Sequence, residues 1–156
     1  MLLRRDLKLT RLDKDSFEET RRVARPIVWR ESIVGAVIQA LHRICIESLD
    51  TSALRKTLRN VQTGFDLGQL GSLKLMELWL AEVEGLADVA GVMSPFYVLN
   101  DLRTLFAHLL PAAKAKELDT SCRSRLGVQT PGWEEVYLRL TDGLAQSYKR
   151  LSDMIY

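Results

Sequence analysis

Cysteine and histidine are scarce in this 156-residue chain. The two cysteines, Cys45 and Cys122, lie far apart and form no Cys-x-x-Cys pair. They read as reduced thiols and exclude a disulfide framework. The two histidines, His42 and His108, stand at no ligand-like spacing from those thiols, so no zinc site or other metal cofactor is expected. Long apolar runs are also missing. The most apolar stretch, 32–46, is broken by Gln39, His42 and Arg43, whereas a membrane helix needs about 20 apolar residues. Met1 to Asp6 carries charges and no apolar core, unlike a signal peptide. These absences together predict a cytoplasmic setting with no membrane partner. There is no internal repeat and no low-complexity segment.

What is present is a globular balance, 47% hydrophobic and 27% charged residues, enough to bury a core in one ordinary domain. Net charge is only +2, but it is unevenly spread. Residues 1–30 hold nine Lys/Arg against five Asp/Glu, and residues 72–101 hold Lys74 against five carboxylates. The basic segment is expected as a solvated arm or a partner for the acidic stretch, with phosphate contact as the alternative.

Apolar positions recur at helical spacing along most of the chain, and no window alternates with period two. Residues 1–15 have no period and are expected as an irregular or extended lead-in. Ser16 and Glu19 form a capping box that opens a helix toward Ala24, and Pro26 kinks or restarts it. A long apolar helix is expected over 27–46, then a shorter one capped by Asp50 with Leu54, Leu58 and Val61 inward. Gly64, Gly68 and Gly71 mark a flexible connection. Ser72 begins a helix closed by Gly91. Ser94-Pro95 reads as a cap and first helical residue, for a helix that reaches Leu110. Pro111 opens the next, closed by Gly127, and Thr130-Pro131 starts the last. The fold class is therefore all-α: an antiparallel bundle of five to seven helices over 16–156.

The helix after Ser94 carries the most distinctive chemistry. At about 100° per residue, with Asn100 at zero, Arg103, Thr104, Ala107, His108 and Asp101 share one face. Phe96 and Tyr97 lie a turn earlier on that side, and the opposite arc is apolar. Histidine exchanges protons near neutrality, and arginine offers a permanent charge in a fork that matches phosphate oxygens. The pair suits phosphodiester chemistry, as proton shuttle and charge stabiliser.

Arg103-Thr-Leu-Phe-Ala-His108 resembles the Arg-x4–6-His signature of the HEPN superfamily of helical bundles, and the wider string from Leu99 to Leu109 is similar to its motif helix. The resemblance covers the architecture of 16–155 and about a dozen motif residues. It implies a metal-independent endoribonuclease with no cofactor, acting as a homodimer whose two motif helices build one site. His108 would exchange the proton of the 2′-hydroxyl, Arg103 would hold the scissile phosphate, and Asn100, Asp101 and Thr104 would support them. Thr104 stands where the family often has Asn, Asp or His, and threonine neither titrates nor carries charge. The resemblance also implies a toxin or phage-defence role, with RNA and an antitoxin or other protein as partners. The alternative is a non-catalytic interaction or nucleic-acid-binding module, such as the C-terminal domain of a larger defence protein.

Other signals are weaker. His42 is expected at the edge of the core. The glycine cluster lacks the preceding strand and Gly-Lys-Ser/Thr ending of a phosphate loop. Trp29, Trp79 and Trp133 are expected as core or interface anchors.

Overall fold

The computed structural model describes residues 23, 25–61, 64–107 and 109–155. The expected lead-in, the helix opening at Ser16 and most of the basic N-terminal segment lie outside them. The protein is an all-helical bundle, with no strand among the described residues. Its helices are α1 (Glu31–His42), α2 (Thr51–Leu58), α3 (Ser72–Glu82), α4 (Val89–Ala107), α5 (Ala112–Leu126) and α6 (Trp133–Ile155). A π-helical turn, Arg43–Glu47, extends α1, and a short 3-10 turn, Leu67–Gln69, precedes α3.

α4 is the centre of the bundle and packs against α1, α3, α5 and α6. Val92, Met93, Phe96, Val98, Leu99 and Leu102 of α4 are buried. They meet Val34 and Ile38 of α1, Leu75, Met76 and Leu80 of α3, and Val136, Leu140 and Leu144 of α6 in one continuous core. α2 packs mainly on α3 and adds Leu54 and Leu58 to that core. The expected anchoring by tryptophan holds for Trp79, which is buried, while Trp29 and Trp133 flank the core.

Several boundaries follow the local chemistry read from sequence. Asp50 accepts the backbone N–H groups of Ser52 and Ala53, each at 3.0 Å, and caps α2. Gly127 ends α5 in the left-handed region, φ 67°. α1 begins four residues later than expected. Trp29 lies against Tyr137 of α6, with ring centroids 5.5 Å apart, and Arg30 before the helix is still extended. The last helix starts at Trp133, because Thr130 is used elsewhere: its hydroxyl donates to Glu135 and its carbonyl accepts from Arg123.

The largest difference concerns α3 and α4. α3 ends at Glu82, and Gly85, at φ 66°, makes the left-handed turn expected of Gly91. α4 begins at Val89 rather than Ser94, since the Asp88 carboxylate accepts the Gly91 N–H at 2.9 Å and supplies the cap. Pro95 therefore lies inside α4, where it removes a backbone donor. The fold accommodates the proline ring against Gly143 of α6, where an added Cβ would sit 3.1 Å from it. Next to it, Ser147 of α6 donates its hydroxyl to the Val92 carbonyl at 2.9 Å.

Two leucines near the end of α4 test this arrangement. Leu102→Ala, at a fully buried position, is expected to lose about 2–5 kcal/mol in urea unfolding. Leu109→Ala, at a fully exposed one, is expected to stay within about 0.5 kcal/mol of the parent. Equal losses would contradict the burial pattern.

Candidate functional site

The second half of α4 carries the residues singled out in the sequence. Asn100, Asp101, Arg103 and Thr104 are all half-buried, at the surface where α4 meets its neighbours. Asn100 faces α1, where His42 Nε2 lies 3.3 Å from its Oδ1. Thr104 donates its hydroxyl to the Asn100 carbonyl at 3.0 Å, a bond within its own helix. Asp101 points to α5 and pairs with Arg125 at 2.7 Å. Asn100 and Asp101, adjacent in sequence, thus serve different neighbours. His108 lies outside the described residues, so the geometry of the site stops at Ala107. Phe96, expected on the polar side, is instead fully buried with its ring against Tyr148, because at that level α4 is enclosed by its neighbours. The polar face begins at Tyr97.

Two groups of polar residues meet this face that sequence reasoning did not assemble. The first is built on His42, buried at the end of α1. Its Nδ1 lies 3.1 Å from Glu47 Oε1, so both ring nitrogens face an oxygen acceptor. Residues five apart on a regular α-helix diverge by about 140°. The π-helical turn cancels that divergence: the Ser48 N–H bonds the Arg43 carbonyl, five residues back, at 3.0 Å. No sequence signal announces a π-turn in this segment.

The second group comes from α3. Tyr97 donates to Glu77, and Lys74 pairs with the same carboxylate at 2.9 Å. Burial and the Glu77 charge raise the Tyr97 pKa above the usual tyrosine range. Burial works against the Glu77 charge, but the hydrogen bonds from Tyr97 and Lys74 outweigh it and lower the carboxyl pKa. Three-residue spacing on α4 places Tyr97 one turn before Asn100, so the two groups are neighbours along the same helix.

Beyond Asn100, α1 and α4 continue antiparallel. Gly35 faces Phe106 closely: a Cβ there would lie 3.2 Å from the ring. These two contacts set a register that brings Gln39 level with Arg103. The seam opens into a groove of about 590 Å³ lined by Glu31, Ser32, Gly35, Ala36, Gln39 and Phe106. Phe106 packs on Trp133, with centroids 4.9 Å apart, and the Arg123 guanidinium lies 4.7 Å from the Trp133 ring centre.

Among the described residues, no three His, Cys, Asp or Glu side chains gather to hold a metal ion, and no helix is long and apolar enough to cross a membrane. Both thiols are buried. Burial raises the Cys45 pKa, and burial with the nearby Asp101 carboxylate pushes Cys122 up to about 12. Neither thiol suits a nucleophile's role at neutral pH.

Two measurements follow. Ellman's reagent at pH 8 is expected to leave Cys45 and Cys122 unmodified in the native protein and to titrate both in denaturant; rapid native reaction would contradict their burial. The Glu77–Tyr97 pair has a defined pH window. A lowered carboxyl pKa contributes stability above the unfolded value of 4.5, and it is lost on acidification. A raised tyrosine pKa contributes below the unfolded value of 10.0, and it is lost as pH climbs. The stability gap between the parent and Tyr97→Phe should therefore be widest between those limits and narrow outside them. A pH-independent gap in urea titrations would show that the bond is not what stabilises the parent.

Comparison with protein-family models, curated proteins and solved structures finds no match to this chain.

Proposed function

We propose that the chain is a HEPN-like, metal-independent endoribonuclease acting through Arg103 and His108 of a homodimer. The observation that carries this reading is the composition of the α4 face. Arg103 shares it with Asn100, whose carboxamide is held by a buried histidine rather than left to solvent. A long arginine one turn from an anchored amide is suited to grip a phosphate.

In the proposed reaction His108 takes the proton of an RNA 2′-hydroxyl, and the resulting oxygen attacks the adjacent phosphorus. The bond to the 5′-oxygen breaks, that oxygen takes a proton from water, and His108 returns its proton to solvent. The products are a 2′,3′-cyclic phosphate and a 5′-hydroxyl. Arg103 stabilises the extra negative charge as it develops on the phosphate oxygens. The displacement is intramolecular, so it needs no activated water.

A second copy as partner is supported by the apolar side chains at one end of the bundle. Ile27, Val28 and Ile33 are exposed around the start of α1, and Leu109 is exposed just after α4. The antiparallel register puts both sets at the same end of the bundle. A toxin or phage-defence role in the cytoplasm, with a neutralising protein partner, extends the same reading by resemblance.

One observation favours a second reading, a binding module that cleaves nothing. Asp101 is committed to Arg125 and Thr104 to its own backbone, which leaves fewer groups to support chemistry.

Labelled RNA incubated with the protein in excess EDTA separates the two. The nuclease reading expects cyclic-phosphate ends, lost by at least about 100-fold in His108→Ala and in Arg103→Ala while the fold and dimer persist. Intact RNA after incubation with folded dimer would leave the binding module.

A further inference from the structure

The Glu47–His42–Asn100 chain has a geometry that structural packing alone does not require. His42 could satisfy one nitrogen at the helix end; instead both nitrogens face oxygens, Glu47 Oε1 at 3.1 Å and Asn100 Oδ1 at 3.3 Å. Glu47 thus engages Nδ1 while Nε2 meets Asn100. The π-turn that delivers Glu47 interrupts regular helix geometry, and such turns recur at functional sites. Glu47 itself has a half-exposed side chain, whereas His42 is buried. A solvent-facing carboxylate is thus linked through one imidazole to a carboxamide on the central helix.

In that linkage the Asn100 Oδ1 is the amide atom nearest the ring, 3.3 Å from Nε2. With Oδ1 turned to the ring, the Nδ2 hydrogens point away from it, and Nδ2 bonds no other described residue. Asn100 and Arg103 are three residues apart on α4, so their side chains emerge on one side of the helix. Without an anchor, the amide would turn freely and offer oxygen or nitrogen equally; an oxygen would repel a phosphate.

We propose that His42 is a positioning residue: tethered by Glu47, it turns the Asn100 carboxamide so that its N–H groups stand beside Arg103 as donors to an RNA phosphate oxygen. This rests on the RNA reading above for its ligand, but the positioning itself is measurable without RNA.

The sequence contains two asparagines, Asn60 and Asn100, so selective ¹⁵N-asparagine labelling yields two side-chain amide pairs, assigned by Asn100→Ala. Glu47→Gln alters a residue that reaches His42 and not Asn100. It is expected to shift or broaden the Asn100 pair, leave the Asn60 pair in place, and have no such effect in a His42→Phe background. An Asn100 pair indifferent to Glu47→Gln in the His42 protein overturns the proposal, whether or not His42→Phe folds. In the RNA assay, Glu47→Gln should slow cleavage about fivefold, the scale of one hydrogen bond, and should add nothing to Asn100→Ala. An equal loss in both backgrounds overturns action through Asn100. If the parent cleaves no RNA, the nuclease reading falls, and the amide spectra still decide the positioning role.

Discussion

The structure depends on the burial of one helix. α4 presents apolar side chains to four neighbours at once, and its residues from Val92 to Leu102 supply the middle of the core. Burying such a stripe is the main favourable term in assembling a bundle of this size. Every other helix is held in place largely by what it does against α4, or, for α2, against α3. The same burial explains how a proline survives inside α4: its ring packs against Gly143, and the nearby Val92 carbonyl accepts from Ser147.

Packing around a central helix also dictates where polar chemistry can go. Polar side chains on α4 can emerge only at the seams between neighbours, and each seam supplies partners of its own. The α3 seam supplies Glu77 and Lys74, the α1 seam His42 and Glu47, and the α5 seam Arg125. The candidate face is thus assembled from several elements, although its motif lies on one. This is a sound arrangement for fixing side-chain direction, since groups on separate rigid helices cannot relax together.

Much of the fold was legible in the sequence because helical periodicity, Asp50 as a cap and Gly127 as a terminator are local signals. The errors have local causes too. Ser94-Pro95 imitates a helix start, and Asp88 offered a cap six residues earlier that the apolar pattern obscured. Gly91 resembles a terminator, although Gly85 fills that role. A helical wheel shows the polar face of α4 from Asn100 to Thr104, but it does not show which neighbour covers each turn, and Phe96 is buried where the wheel alone puts it on the polar side. His42 could not be tied to Asn100, 58 residues away, without the α1–α4 register, nor to Glu47 without the π-turn. The Lys74–Glu77–Tyr97 group needs the same tertiary information.

The course of α4 through the bundle has one more consequence. Leu102 is fully enclosed, residues 103–106 are half-covered, and Ala107 and Leu109 stand in solvent. The helix leaves the core over little more than a turn. Local opening free energy falls along such an exit, from the global value toward that of a fraying end. Arg103 and the turn beyond it sit on that slope. Along that slope Phe106 is held between Gly35 and Trp133, and Asn100, fastened from behind by His42, marks its inner end.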